Sequence, residues 1–84
     1  MSNIIFENER GFIEETEFKN GIRVMVRSVR SLDGMIAHDY NETIIDYERG
    51  LCRTWTAVGY RASHIDQLAN REAAIAYGKK LLGE

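Results

Sequence analysis

The sequence predicts an α+β fold: an antiparallel sheet of four or five strands with one C-terminal helix, about residues 70–82, packed on one face. Three observations carry this. Between Phe12 and Val29, two runs of mixed apolar and charged residues flank Lys19-Asn20-Gly21, and Asn-Gly between such runs is a strong short-range hairpin signal. Further runs rich in β-branched and aromatic residues, at about 35–40, 42–47 and 51–60, are punctuated by Asp33-Gly34 and Arg49-Gly50. In the last part of the chain Ala74, Tyr77, Gly78 and Leu81 recur at helical spacing. Strands followed by one amphipathic helix make a two-layer α+β sandwich. The 84 residues form a single domain, 1–84, with room for one modest core.

The hairpin register follows from separating apolar from charged faces. A two-residue loop sets Phe18 opposite Arg23 and Glu17 opposite Val24, which mixes the two kinds on both faces. A three-residue loop, with Gly21 left-handed, pairs Phe18 with Ile22, Thr16 with Val24, Glu14 with Val26 and Phe12 with Ser28. One face of this hairpin, 12–29, then carries Phe12, Phe18, Ile22, Val24 and Val26. The other pairs Glu17 with Arg23 and places Glu15 diagonal to Arg23 and Arg27. A one-residue slip exchanges the faces, so the second register is the expected one.

Ahead of the hairpin, Ile4, Ile5 and Phe6 form an edge strand or a tail over the core, ended by Gly11. After it, Arg30 to Gly34 is rich in turn residues. Met35 to Tyr40 is the next strand, with Ile36, His38 and Tyr40 on one face. Asn41 to Gly50 reads two ways: Thr43, Ile44, Ile45 and Tyr47 favour a strand, while Asn41 is a candidate helix cap and Gly50 a candidate stop. A strand is preferred because the next segment pairs with it. With Arg49-Gly50 as a two-residue turn, Asp46 faces Arg53, Ile44 faces Trp55 and Tyr47 faces Cys52. Leu51 to Tyr60 is then one long strand in which Gly59 marks a bulge or a close backbone approach.

Ser63 followed by Asp66 resembles a capping box, and Asn70 is a second candidate cap. A helix from Asn70 to Leu82 gathers Ala74, Tyr77, Gly78 and Leu81 on one face, with Ala73 and Leu82 at its margins. Lys79 and Lys80 suit the C-terminal end of the helix dipole, and Gly83 is a stop signal.

Composition narrows the function classes. With 44% hydrophobic residues, 29% charged and no proline, the chain has the make-up of a folded globular domain. No apolar run approaches bilayer length, and the first nine residues lack a basic segment followed by a long apolar one, so a cytoplasmic protein is expected. The single cysteine, Cys52, excludes an internal disulfide and agrees with a reducing compartment. The formal net charge of −2 conceals alternation along the chain. Acids crowd the first 18 residues; Lys19, Arg23, Arg27 and Arg30 follow without an acid; then come Asp33, Asp39, Glu42, Asp46 and Glu48, and after them Arg49, Arg53 and Arg61. Neighbouring strands of opposite sign on a solvated face account for this, and separate acidic and basic contact patches are the functional alternative.

No reaction constellation emerges. Cys52 with His38 or His64 is the minimum for a thiol nucleophile and its base, but no local signature joins them, and a lone strand cysteine is ordinarily a small buried hydrophobe. His38-Asp39 and His64-Ile65-Asp66 are isolated pairs without the clustering of a metal site. Neither glycine turn has phosphate-loop spacing. Asn41-Glu42-Thr43 matches the weak glycosylation pattern. Glu14, Glu15 and Glu17 sit on an exposed hairpin with no cleft between them. The expectation is a non-enzyme with no cofactor and no metal.

The run Arg53-Thr54-Trp55-Thr56-Ala57-Val58-Gly59-Tyr60-Arg61 interleaves arginine with aromatics, as surfaces that stack single-stranded nucleic acid do. Together with Arg71 to Tyr77 it loosely resembles the three-strand-plus-helix DNA-binding domains of phage integrase arm regions and plant AP2 factors, over about the last third of the chain and without a specific motif. Those domains are basic on their reading strands, whereas this chain is acidic overall. Trp55 and Tyr60 as core and sheet-edge packing is the structural alternative.

The expected function is a small protein-binding module, a regulator or inhibitor that covers a partner's surface with Glu14, Glu15, Glu17, Asp39, Glu42, Asp46 and Glu48. The alternative is nucleic-acid binding, single-stranded or duplex, through Arg23, Arg27, Arg53, Trp55, Tyr60 and Arg61. An open sheet has two edges and no proline is available to blunt them, so a homodimer paired through Ile4 to Phe6 competes with a monomer in which that segment folds back as the last strand; the monomer is preferred.

Overall fold

The structure, a computed structural model, describes residues 3–16, 21–32, 35–56 and 59–84, with side chains described outside 28–40. Six strands, β1 (Asn3–Asn8), β2 (Gly11–Glu15), β3 (Gly21–Leu32), β4 (Met35–Asp46), β5 (Leu51–Thr56) and β6 (Gly59–His64), precede a 3₁₀ turn (Asp66–Leu68) and one helix, α1 (Arg71–Leu81). The strands pair antiparallel in chain order, β1-β2-β3-β4-β5-β6. An antiparallel sheet with one C-terminal helix is the predicted architecture, built on six strands rather than four or five.

The additional strands have two origins. Ile4 to Phe6 does fold back, as edge strand β1. The expected strand at 51–60 is two strands: β5 and β6 pair antiparallel, with Thr56 opposite Gly59 and Trp55 opposite Tyr60. Conversely, the runs at 35–40 and 42–47 are one strand, β4, and Tyr47 lies in the following turn rather than opposite Cys52. That turn is longer than two residues. It carries Gly50 at φ 63°, a left-handed conformation that favours glycine, and sets Asp46 opposite Leu51, Ile45 opposite Cys52 and Ile44 opposite Arg53.

The first hairpin is also in a different register. Ile13 pairs with Val24, Glu14 with Arg23, Glu15 with Ile22 and Phe12 with Met25. Gly21 opens β3 opposite Asp46, while Glu17, Phe18, Lys19 and Asn20 lie outside the described residues, as do Asp33 and Gly34. The faces of β2 are therefore exchanged against expectation: Ile13 joins Ile22 and Val24 at 0% exposure, and Phe12 turns to the other side. Gly11 helps explain this pairing, because a side chain there would run into the Met25 carbonyl oxygen, 1.7 Å from where its Cβ would lie. Glycine alone permits β2 to lie so close to β3.

The core lies between sheet and helix and, among the described residues, consists of Ile13, Ile22, Val24, Ile45, Cys52, Leu68, Ala74 and Leu82. The helix begins where its cap predicts: the Asn70 side-chain oxygen accepts from the Ala73 N–H at 2.8 Å. It ends at Gly83, φ 81°, with the Gly83 N–H bonded to the Lys80 carbonyl. The helix packs on β2 and β3, with Gly78 against Ile13 and Val24. Ser63 is not a cap; it belongs to β6, and the 3₁₀ turn starts from Ile65 without a side-chain cap.

Asn8 ties the sheet edge to the helix end. Its side-chain oxygen accepts from the Arg10 and Gly11 N–H groups, and its amide donates to the Leu82 carbonyl at 3.0 Å and to Glu84. At this same end, where the Arg27 N–H bonds to the Arg10 carbonyl, the pairs from Arg27↔Tyr40 to Leu32↔Met35 extend past the pairing of β2 and β5, so β3 and β4 continue as a two-stranded arm roughly 20 Å long at the usual rise per residue.

Candidate functional site

Because α1 covers the sheet on one side only, the other side is open, and the registers define what it presents. One row runs Glu7–Phe12–Met25–Glu42–Trp55–Tyr60 and the next Ile4–Glu14–Arg23–Ile44–Arg53–Ala62. Acids and arginines on this face neutralise one another. Arg23 donates to Glu42 at 2.8 Å and to Glu14 at 3.3 Å, and Arg27 lies 3.7 Å from Glu7. Both guanidinium groups also stand over the Phe12 ring, at 5.9 and 6.0 Å. The hydrogen bond to Glu42 is the main cause that raises Arg23 above its ordinary pKa; desolvation opposes it, and Glu14 adds to it.

At the β5–β6 end this network stops. Trp55 and Tyr60 stack as a tilted cross-strand pair, ring centroids 5.1 Å apart, and remain 37% and 57% exposed. They are not core packing. Arg53 lies one pair along on the same face, exposed and with no carboxylate partner among the described residues. Arg61, opposite Thr54, belongs to the helix side. The proposed Arg/aromatic set is thus divided: Arg53, Trp55 and Tyr60 come together, Arg23 and Arg27 are engaged by acids, and Arg61 is on the other face.

On the helix side, α1 leaves β6 and the Thr54–Thr56 end of β5 uncovered. A cleft of about 680 Å³ lies there, lined by Cys52, Thr54, Thr56, Arg61, Ser63 and Tyr77 among others. Thr54 shares a hydrogen bond with buried Thr43 at 3.1 Å. Burial pushes the Cys52 thiol above its ordinary pKa, partly offset by a hydrogen bond with Thr54. Such a thiol is less nucleophilic near neutrality. His64 pairs opposite Leu51 and so faces away from Cys52, and nothing is described of the His38 side chain.

The seven acidic candidates do not form one patch. Glu14 and Glu42 share Arg23 on the open face. Glu15 holds Arg71 at the start of α1, on the opposite side, instead of approaching Arg23 and Arg27. Asp46 is buried and accepts from the Arg49 N–H. Glu48 is exposed in the turn after β4; Asp39 is described only by its pairing with Ser28, and Glu17 lies outside the described residues. Asn8 was not singled out by the sequence, although Asn preceding Glu-Arg-Gly is a recognisable turn signal.

Comparison of the chain with protein-family models, with curated proteins and with solved structures returned no match. No helix among the described residues is long and apolar enough to cross a membrane.

Proposed function

We propose that this protein is a non-catalytic protein-binding module, a regulator or inhibitor that covers a partner's surface, and that its contact centre is the open sheet face at Trp55, Tyr60 and Arg53. The observation that carries the reading is the stacked, solvent-exposed Trp55–Tyr60 pair at the end of an otherwise charge-neutralised face. Trp, Tyr and Arg are the residues most enriched among the few that dominate binding energy at protein interfaces. Glu42, opposite Trp55, and Glu14 supply the polar rim and the acidic component of recognition. Affinity capture from host extract with the wild-type chain and with the double variant Trp55→Ala/Tyr60→Ala tests this. A partner retained by the first and lost from the second, with both chains folded, is expected; no host protein above background removes the reading.

Nucleic-acid binding is favoured by one feature, the exposed rings beside Arg53. Electrostatics oppose it. With Arg23 and Arg27 held by carboxylates, Arg53 is the one described arginine of this face without such a partner. About one phosphate neutralised gives a salt slope of only roughly −0.7 on a single strand, far below that of ordinary binders. Fluorescence anisotropy at low salt with single-stranded and duplex probes, showing micromolar binding lost on Trp55→Ala, would reverse the preference.

A further inference from the structure

We infer that the outer edge of β6 is a strand-addition site for an extended acidic segment of the partner protein, whose carboxylates face Arg61 on the helix side while its alternate, apolar side chains pack beside Tyr60. The inference rests on the protein-binding reading and specifies the partner's conformation and chemistry.

The two edges of the sheet are built differently. On β1 the pairing is interrupted by an irregularity between Ile4 and Phe6, and Asn8 anchors the strand end to Leu82 and Glu84. Bulges of this kind protect an edge. β6 pairs with β5 without interruption over all six positions, contains no proline, and every one of its residues is exposed. Its hydrogen-bonding phase is set by the Ile65 N–H, which donates to the Gly50 carbonyl at 2.7 Å. Antiparallel pairs alternate between bonded and non-bonded, so Ser63 and Arg61 direct their main-chain groups to β5. Tyr60, Ala62 and His64 therefore present N–H and C=O groups outward, a template for a seventh strand.

Charge selects what that strand carries. β5 and β6 contain no acid, in a chain that is acidic overall, and Arg61 is their arginine on the cleft side; Arg53 faces the open side and neighbouring Arg49 is paired with Asp46. Arg61 has no carboxylate partner among the described residues and stands at the cleft with the hydroxyls of Thr54, Thr56 and Ser63. A strand about 4.8 Å outside β6 points alternate side chains to the cleft side and to the Tyr60 side. Carboxylates on the first set meet Arg61, and apolar groups on the second extend the Trp55–Tyr60 surface. A second copy's β6 is a poorer occupant, because pairing two such edges brings two copies of Arg61 together without an acid.

The test uses the full chain and a fluorescein-labelled octapeptide alternating Glu and Val, read by anisotropy. Its controls are a Lys-for-Glu peptide and a Glu/Val peptide N-methylated at alternate amides. Saturable binding is expected, weakened roughly tenfold by N-methylation, about the worth of one net main-chain hydrogen bond. Ala62→Pro removes an outward donor at an edge position where proline is tolerated, and weakens binding likewise; Arg61→Glu shifts preference to the Lys peptide. No binding, or binding indifferent to N-methylation, overturns the inference. If Ala62→Pro unfolds the chain, the N-methylated peptide decides alone. A homodimer in sedimentation equilibrium that Ala62→Pro dissociates also overturns it, since a second copy then holds the edge. A host partner lost on Trp55→Ala/Tyr60→Ala but kept by a folded Ala62→Pro chain refutes the edge site and leaves the face reading intact. Edge-dependent peptide binding with no host protein captured does the reverse.

Discussion

Gly78→Ala opposes two effects of known size at one position. Alanine in place of glycine inside a helix contributes about 0.8–1 kcal/mol of propensity. Against this, a Cβ at residue 78 would lie 3.0 Å from Ile13 Cδ1 and 3.0 Å from Val24 Cγ2. The optimal carbon–carbon separation is about 3.5–4.0 Å, so both groups must retreat by roughly half an ångström or more. Ile13 and Val24 are fully buried and β-branched, with few alternative rotamers, and overpacking of this kind costs about 1–3 kcal/mol. The net expectation is a destabilisation of about 0–2 kcal/mol, a fall in Tm of up to roughly 8–16 °C for a domain of this size. Thermal melts followed by circular dichroism give the sign. A cycle with Ile13→Val identifies the obstacle, because that change deletes Cδ1. Alone it costs about 0.5–1.5 kcal/mol; in the Gly78→Ala background it costs at least about 0.5 kcal/mol less. A rise in Tm on Gly78→Ala, matching the propensity gain, would refute the close packing of α1 on β2 and β3.

Three other outcomes follow from the same contacts. Asn70→Ala loses the cap on Ala73 and costs about 0.5–2 kcal/mol in urea unfolding, whereas Asn70→Asp retains most of it; equal effects would show that the cap is not the cause. Glu42→Gln, which weakens the main partner of a part-exposed Arg23, costs no more than about 1 kcal/mol, and the cost shrinks in high salt. For Cys52 the folded thiol is raised above its ordinary 9.0, so the unfolded chain releases its proton first. The stability this contributes is complete below pH 9 and is lost as pH climbs through the folded value, so the wild-type urea midpoint falls more than that of Cys52→Ala above pH 9; parallel curves would contradict the burial.

What was legible in the sequence was mostly local. The helix, its Asn70 cap and its glycine stop are encoded within one or two turns and are found; of its predicted stripe Ala74 and Gly78 are buried and Tyr77 and Leu81 half-buried, while Leu82, placed at the margin, lies in the core. The sandwich of one sheet and one helix is found too. The division of 51–60 into β5 and β6 was not legible, because the run is rich in threonine and aromatics and its Gly59 reads as a bulge as readily as a reversal. That one omission concealed the cross-strand contact of Trp55 with Tyr60, and with it the centre of the proposed contact surface, since residues within one strand cannot stack across a ladder.

Register explains why one pair of strands kept its faces and another did not. Between β4 and β5 the observed pairing differs from the expected one by two residues, which moves Trp55 from Ile44 to Glu42 but leaves it on the same side. Between β2 and β3 it differs by three, and an odd slip turns every side chain of one strand over. The pattern argument failed there because it gave weight to Phe12 and Phe18 as apolar residues. In the folded chain Phe12 lies beneath two guanidinium groups on the open face, and Ile13, flanked by phenylalanine and glutamate, is the residue that fills the core. That exchange has an electrostatic consequence. By placing Glu14 opposite Arg23, it leads the acids of β2 and β4 to neutralise the arginine of the strand between them, so the centre of the open face carries little net charge. The β5–β6 end differs: there Arg53 has no carboxylate partner among the described residues and two rings are exposed, which is why the proposed contact centre is placed at that end.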